Sequence, residues 1–187
     1  FVDLNNDEVL DILGRSPSSG SGGFASHYSY SFKDNKVVDL LKNLNYSIDF
    51  VFLDGFKSEI FSDELKESYV IEFDEDRKKS YFEQFYYSKN GLILDDIGGF
   101  FKGDELSSIY IKELNQNGMK HVTSAVGPIS NTDEFATIET IYLMKDDVWT
   151  IYKMDVYDNT ANGVKANSIP YKSDRDKPIL AKDIERL

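Results

Sequence analysis

The opening segment FVDLNNDEVLDILG carries Asp3, Asn5, Asp7 and Asp11 at a 1-3-5-9 spacing and then runs directly into apolar residues. Ca²⁺ is a hard cation that takes roughly six to eight oxygen ligands, and alternate side chains of a tight loop point the same way to supply them. Asp3, Asn5 and Asp7 fit that role, a carbonyl near Val9 adds a further oxygen, and Asp11 closes the ring. The same residues also fit an acidic turn between two strands with no metal. An EF-hand is excluded, because it needs a Glu at loop position 12, where Gly14 stands, and a helix on each side. A second segment, KELNQNGMKHV, repeats the layout with Glu113, Asn115, Asn117, Gly118 and His121. Having lost most of its charge, it is expected to be a degenerate loop without metal.

Other residue types offer less chemistry. The chain has two histidines, His27 and His121, and each is expected to be structural or exposed rather than a base or ligand. Ser107, Ser124 and Ser130 lack a nucleophile-elbow context. SPSSGSGG lacks the GxxxxGK[ST] pattern of a phosphate loop. The adjacent pairs Asp95/Asp96, Asp104/Glu105 and Asp133/Glu134 cannot each be a glycosidase dyad, since neighbours on a strand point to opposite faces. No catalytic residue is assigned, and a non-catalytic protein is expected.

The elements that would position the opening loop read as mostly β. HYSYSF and VVDLL flank the turn KDN; YSIDFVFLD and SYVIEF follow; TIETIYLM and VWTIYKMDVY flank KDD. YFEQFYY, SKNG and LILDDI read as a further hairpin. Helix is expected only as one turn over SDELKES, capped by Ser62, and as a short element over LAKDIERL. Asp3 to Tyr28 and Glu113 to Ile138 span the same interval, and each copy then reaches a lysine-acid turn. That repetition predicts antiparallel β units, either propeller-blade-like or in an irregular β assembly. Residues 1–157 are expected to form one β-rich domain and 158–187 an extended polar tail.

Composition narrows the partners. The chain holds 33 acidic and 21 basic residues, a formal net charge of -12, which argues against nucleic acid and anionic membrane surfaces. It has no cysteine, so disulfides and thiolate metal sites are excluded. No apolar run approaches the roughly 20 residues of a membrane span. Beginning at Phe1 inside an apparent strand, the sequence predicts a mature chain whose targeting segment has been removed. The aromatic sets Tyr28/Tyr30/Phe32, Phe82/Phe85/Tyr86/Tyr87 and Tyr142/Trp149/Tyr152 are expected to fill the core with one alternating face. Any set left exposed could stack on a sugar or anchor a partner.

The segment DLNNDEVLDILG resembles the D-x-[DN]-x-D-G-x-x-D loop of FG-GAP/VCBS repeats, with Glu8 where that pattern has glycine. The order of SDELKESYVIEFD, IGGFFKGDELSSIYIKELNQNGMKHVTSAVGPISNTDEFATIETIY and a closing hairpin is similar to uncharacterised VCBS-repeat-like proteins of Firmicutes. The resemblance implies an extracellular or cell-surface, non-catalytic β module stabilised by one structural Ca²⁺ on Asp3, Asn5, Asp7, Val9 and Asp11. Adhesion or ligand binding to a protein or glycan would then be its work. The alternatives are an acidic inhibitor or immunity-type protein that neutralises a basic partner, and a carbohydrate-binding or carbohydrate-active module.

Overall fold

The computed structural model describes residues 1–17, 25–42, 44, 48–94, 97–111, 116–145, 148–160 and 163–170. Along the chain run β1 (Ile12–Pro17), β2 (Ala25–Lys33), β3 (Lys36–Asp39), β4 (Ile48–Leu53), β5 (Lys57–Ser62) and β6 (Glu67–Glu72). The helix α1 (Glu75–Glu83) follows, then β7 (Phe100–Ile111), β8 (Gln116–Val126), β9 (Glu134–Lys145), β10 (Val148–Asp158), β11 (Val164–Lys165) and β12 (Asn167–Pro170). The strands form three sheets, ordered β1-β2-β3, β11-β10-β9-β8-β7 and β12-β6-β5-β4. The expected mostly β, antiparallel architecture is what the chain adopts, with one helix and no closed barrel among the described residues. Among the described residues no helix is long and apolar enough to cross a membrane.

The chain divides into two compact units: Phe1–Tyr46, Phe101–Ser124 and Ile138–Asp155 form one, and Ser47–Phe100, Ala125–Thr137 and Val156–Leu187 the other. In the first unit Leu4, Leu40, Met119, Ile138, Tyr142, Trp149 and Met154 are buried. Trp149 Nε1 donates to the Leu40 carbonyl at 2.6 Å, which satisfies the indole while its ring packs. The β2–β3 hairpin closes on Asp34 and Asn35, both with positive φ (51° and 59°). That backbone is the primed turn whose twist matches the strands it joins, and Asx residues tolerate it best after glycine.

The second unit is built around aromatics. Phe50, Phe52, Phe73, Tyr81 and Phe135 meet in edge-on or tilted contacts with centroids 5.1–6.3 Å apart. β12 pairs with β6 from Asn167↔Val70 to Pro170↔Glu67, and β11 pairs with β10 at Tyr157↔Lys165 and Asp158↔Val164. The segment beyond residue 157, read from sequence as a tail, therefore contributes two strands before residue 171.

Three expectations are corrected. YFEQFYY is no strand: Tyr81, Phe82 and Glu83 close α1, which Asp74 caps by accepting from the Arg77 amide at 2.8 Å, with Glu75 and Asp76 in the first turn. The helix ends in a Schellman motif, with Tyr86 N bonded to Tyr81 O and Phe85 N to Phe82 O, and with Phe85 left-handed at φ 61°. SDELKES is a hairpin turn: Ser62 pairs with Glu67 across β5–β6, and Ser62 Oγ accepts from Leu65 N at 3.3 Å. Instead of a strand, the described part of LILDDI makes a single bridge, Tyr87↔Ile93. The helix expected over LAKDIERL lies outside the described residues.

Candidate functional site

The opening loop is held at its base by a bridge between Val2 and Asp11, with Val2 N to Asp11 O at 3.2 Å and Asp11 N to Val2 O at 2.8 Å. Between these ends the chain turns through left-handed backbone at Asn6 (φ 57°) and Glu8 (φ 67°). Glu8, the residue standing where the FG-GAP/VCBS pattern has glycine, thus adopts the conformation that glycine favours. The sequence's alternation of Asp and Asn matters here because these side chains bond their own backbone a few residues on.

Each predicted ligand has a definite place. Asp3 Oδ1 accepts from Asp7 N and Asp3 Oδ2 from Glu8 N, both at 3.0 Å. Asp7 Oδ1 accepts from Val9 N at 2.9 Å, and its Oδ2 accepts from Asn5 Nδ2 at 3.1 Å and lies 3.3 Å from Lys33 Nζ. Burial pushes the Asp7 carboxyl up, but the Val9 amide, the Asn5 side chain and Lys33 outweigh it and hold it below its ordinary 3.8. Asp11 is fully buried and its Oδ2 accepts from Leu4 N at 2.8 Å. Asn117 Nδ2 donates to the Asp3 carbonyl at 2.6 Å. Two oxygens of this loop are buried with no hydrogen-bond partner, Asp11 Oδ1 and Asn5 Oδ1. Among the described residues no three His, Asp or Glu side chains are gathered as a ready metal cluster. Apart from Asp11 Oδ1, the carboxylate oxygens of Asp3, Asp7 and Asp11 accept from the loop's own amides.

The second copy of the loop does not form as read. Asn117, Gly118 and His121 lie within β8, where His121 is buried, so from residue 116 the segment is strand. Glu113 and Asn115 lie outside the described residues.

The aromatic sets divide against expectation. In β2, Tyr28, Tyr30 and Phe32 are exposed while the alternating Ser29 and Ser31 are buried, so the small polar residues face inward. Phe32 stands opposite Val37, itself exposed. Tyr28 lies across Gly14 of β1, where any side chain would collide with its ring. In the other sets Tyr87, Tyr142 and Trp149 are buried, and Phe82, Phe85 and Tyr152 are exposed.

Sequence reading missed a polar lock in the second unit. Asp133 Oδ1 accepts from Arg77 Nε at 2.9 Å and Asp133 Oδ2 from the Tyr81 hydroxyl at 2.8 Å, while Arg77 also donates to the Glu134 carbonyl at 3.2 Å. An open cavity of about 320 Å³ lies beside it, lined in part by Asp76, Ser80, Ser130 and Thr132. Burial, and then the charge and hydrogen bond of Asp133, push the Tyr81 phenol far above its ordinary 10.0. Both oxygens of Asp133 are spent on tying α1 to the loop before β9. The cue in the sequence was Asp74, an N-cap three residues before Arg77.

No curated protein and no solved structure matches the chain. The family model described as the YybI C-terminal domain matches residues 46–157, which takes in the Arg77–Asp133–Tyr81 lock and begins after the opening loop. This chain therefore belongs to the YybI C-terminal domain family.

Proposed function

We propose that the loop from Asp3 to Asp11 binds one Ca²⁺ and that the protein is a non-catalytic, Ca²⁺-stabilised β module of the cell surface or exterior. The observation that carries this reading is the pair of buried oxygens without donors, Asp11 Oδ1 and Asn5 Oδ1. An unpaired carboxylate oxygen is costly to bury, and a hard cation relieves that cost where no amide or hydroxyl does. Four acids, Asp3, Asp7, Glu8 and Asp11, share the loop, and Lys33 is a tethered ammonium that meets part of their charge. Asp3, Asn5, Asp7 and Asp11 would supply side-chain oxygens and Val9 a carbonyl. Amide bonds to the carboxylates are compatible with this, because an oxygen that accepts a single amide, such as Asp7 Oδ1, keeps a second lone pair for the ion. Resemblance of the loop to the FG-GAP/VCBS pattern supports the same reading. Ligand contact would fall to the exposed rings of Tyr28, Tyr30 and Phe32, which suit stacking on a glycan or anchoring a protein.

Thermal melts with Ca²⁺ and with EDTA test it. At a Ca²⁺ concentration about 100 times Kd the folded state gains about 2.7 kcal/mol. For a chain of this size that raises Tm by about 5–10 °C. Asp7→Ala abolishes the rise. An unchanged wild-type Tm on adding Ca²⁺ refutes the proposal.

A further inference from the structure

Behind the exposed aromatic face of β2 lies a face of buried polar atoms. Ser29 and Ser31 are 0% and 1% exposed, and neither hydroxyl has a hydrogen-bond partner. A buried serine hydroxyl can rotate to reach almost any acceptor nearby, so an unmatched one invites a chemical explanation.

The strand register says which of the two matters. β1 and β2 pair antiparallel from Ile12↔Tyr30 to Pro17↔Ala25. On its other side β2 sets Ser31 opposite Val38 of β3; carried one step beyond Ile12↔Tyr30, the β1 register would set Asp11 opposite Ser31. Directly opposed residues share a face of the sheet, with Cβ atoms about 4.5–5.5 Å apart. Asp11 is 0% exposed, and its Oδ1 also lacks a partner. Two buried oxygens, one of them anionic, therefore occupy neighbouring positions on one face without a hydrogen bond between them. Ser29, by contrast, stands opposite Leu13, and its carbonyl accepts from Leu40 N.

Resting on the Ca²⁺ reading of the opening loop, we propose that Ser31 Oγ is a ligand of the same ion, so that β2 closes the site from the side opposite the loop. The hydroxyl is a neutral hard oxygen, and with Asp11 Oδ1 it adds an inner wall to ligands that otherwise come from one turn of chain. This accounts for serine in the middle of a strand whose outward neighbours are aromatic. It also ties the ion to the strand that carries Tyr28, Tyr30 and Phe32.

Ca²⁺ titration calorimetry on the full chain tests the assignment, with three variants. Ser31→Ala is expected to weaken Kd by about tenfold, the scale on which loss of one supporting group weakens a metal site. Ser29→Ala is expected to leave Kd within about twofold, since Leu13 and not an oxygen ligand stands opposite it. Ser31→Cys replaces a hard oxygen with a soft sulfur of similar size in a chain with no other cysteine. It is expected to weaken Ca²⁺ and to tighten Cd²⁺, a reversal that a packing role cannot produce. Wild-type affinities for both metals in Ser31→Ala and Ser31→Cys, with wild type itself binding Ca²⁺, overturn the Ser31 assignment alone. Absence of Ca²⁺ binding by wild type overturns the loop reading and this inference with it.

Discussion

Tyr81→Phe isolates one hydroxyl of the polar lock while leaving the ring in its aromatic cluster. The hydroxyl donates to Asp133 Oδ2 at 2.8 Å from a fully buried side chain. A hydrogen bond to a charged group contributes about 1.5–3 kcal/mol, so the variant is expected to lose about 2 kcal/mol at pH 7. Arg77 still holds the other oxygen of Asp133 at 2.9 Å, which keeps the loss from growing further. For 187 residues about 2 kcal/mol corresponds to a fall in Tm of about 4–8 °C. Alkaline pH supplies an independent signature. The folded phenol has its pKa raised above the ordinary 10.0, so its contribution is fully present below pH 10 and is lost as pH rises toward the folded value. Tyr87, pushed up by burial and then by the charge of Asp54, contributes in the same direction. Tyr81→Phe removes one of these two protons. The stability gap between wild type and variant should therefore narrow by about 1 kcal/mol between pH 10 and pH 11. Urea unfolding at pH 7, 10 and 11 measures both quantities. A variant within about 0.5 kcal/mol of wild type at pH 7, or a gap that does not change with pH, refutes the lock as described.

Two further substitutions probe the backbone. At Gly127 a methyl group would collide with the Tyr81 hydroxyl and the Asp133 carboxylate, so Gly127→Ala is expected to cost about 1–3 kcal/mol, read by the same urea unfolding. Combined with Tyr81→Phe it should cost less than the sum of the two, because both act on one contact. Glu8 holds a φ of 67°, and Glu8→Gly should relieve left-handed strain worth about 1–2 kcal/mol, offset in part by glycine's entropy when unfolded. A net rise in Tm in EDTA is expected, and a fall would show that the Glu8 side chain contributes more than its backbone costs.

What the sequence disclosed and what it hid separate along a physical line. The KDN turn was readable because Asp34 and Asn35 are residues that accept positive φ, and both do. β4, β6, β9 and β10 were readable from aromatic and β-branched runs. YFEQFYY carried the same composition yet its first three residues close a helix, since strand propensity measures fit to a pleated, half-buried surface rather than a backbone preference. Of its aromatics within α1, Tyr81 is buried and Phe82 exposed, a helical division that the capping residue Asp74 could have signalled. β5 passed unnoticed because KSEIFS buries two serines beside Ile60, a pattern that hydrophobic periodicity does not register. β8 was obscured by the apparent repeat, as Asn117, Gly118 and His121 resemble a loop until a strand claims them.

β2 shows the deepest reason. Its alternation of Tyr28, Tyr30 and Phe32 with Ser29 and Ser31 fixes two faces, and the apolar one would ordinarily be the core. The chain does the reverse, and the β1–β2 register, carried one step beyond Ile12↔Tyr30, would set Asp11, the last residue of the opening loop, opposite Ser31. Local spacing found Asp3, Asn5, Asp7 and Asp11 because a loop's ligands lie close in sequence. Ser31 stands 20 positions beyond Asp11, and its relation to the loop exists only once the two strands are paired. A cation that bridges Asp11 and Ser31 would let a serine-lined face be buried and an aromatic one be presented. Binding the ion and displaying Tyr28, Tyr30 and Phe32 would then be two consequences of a single strand pairing.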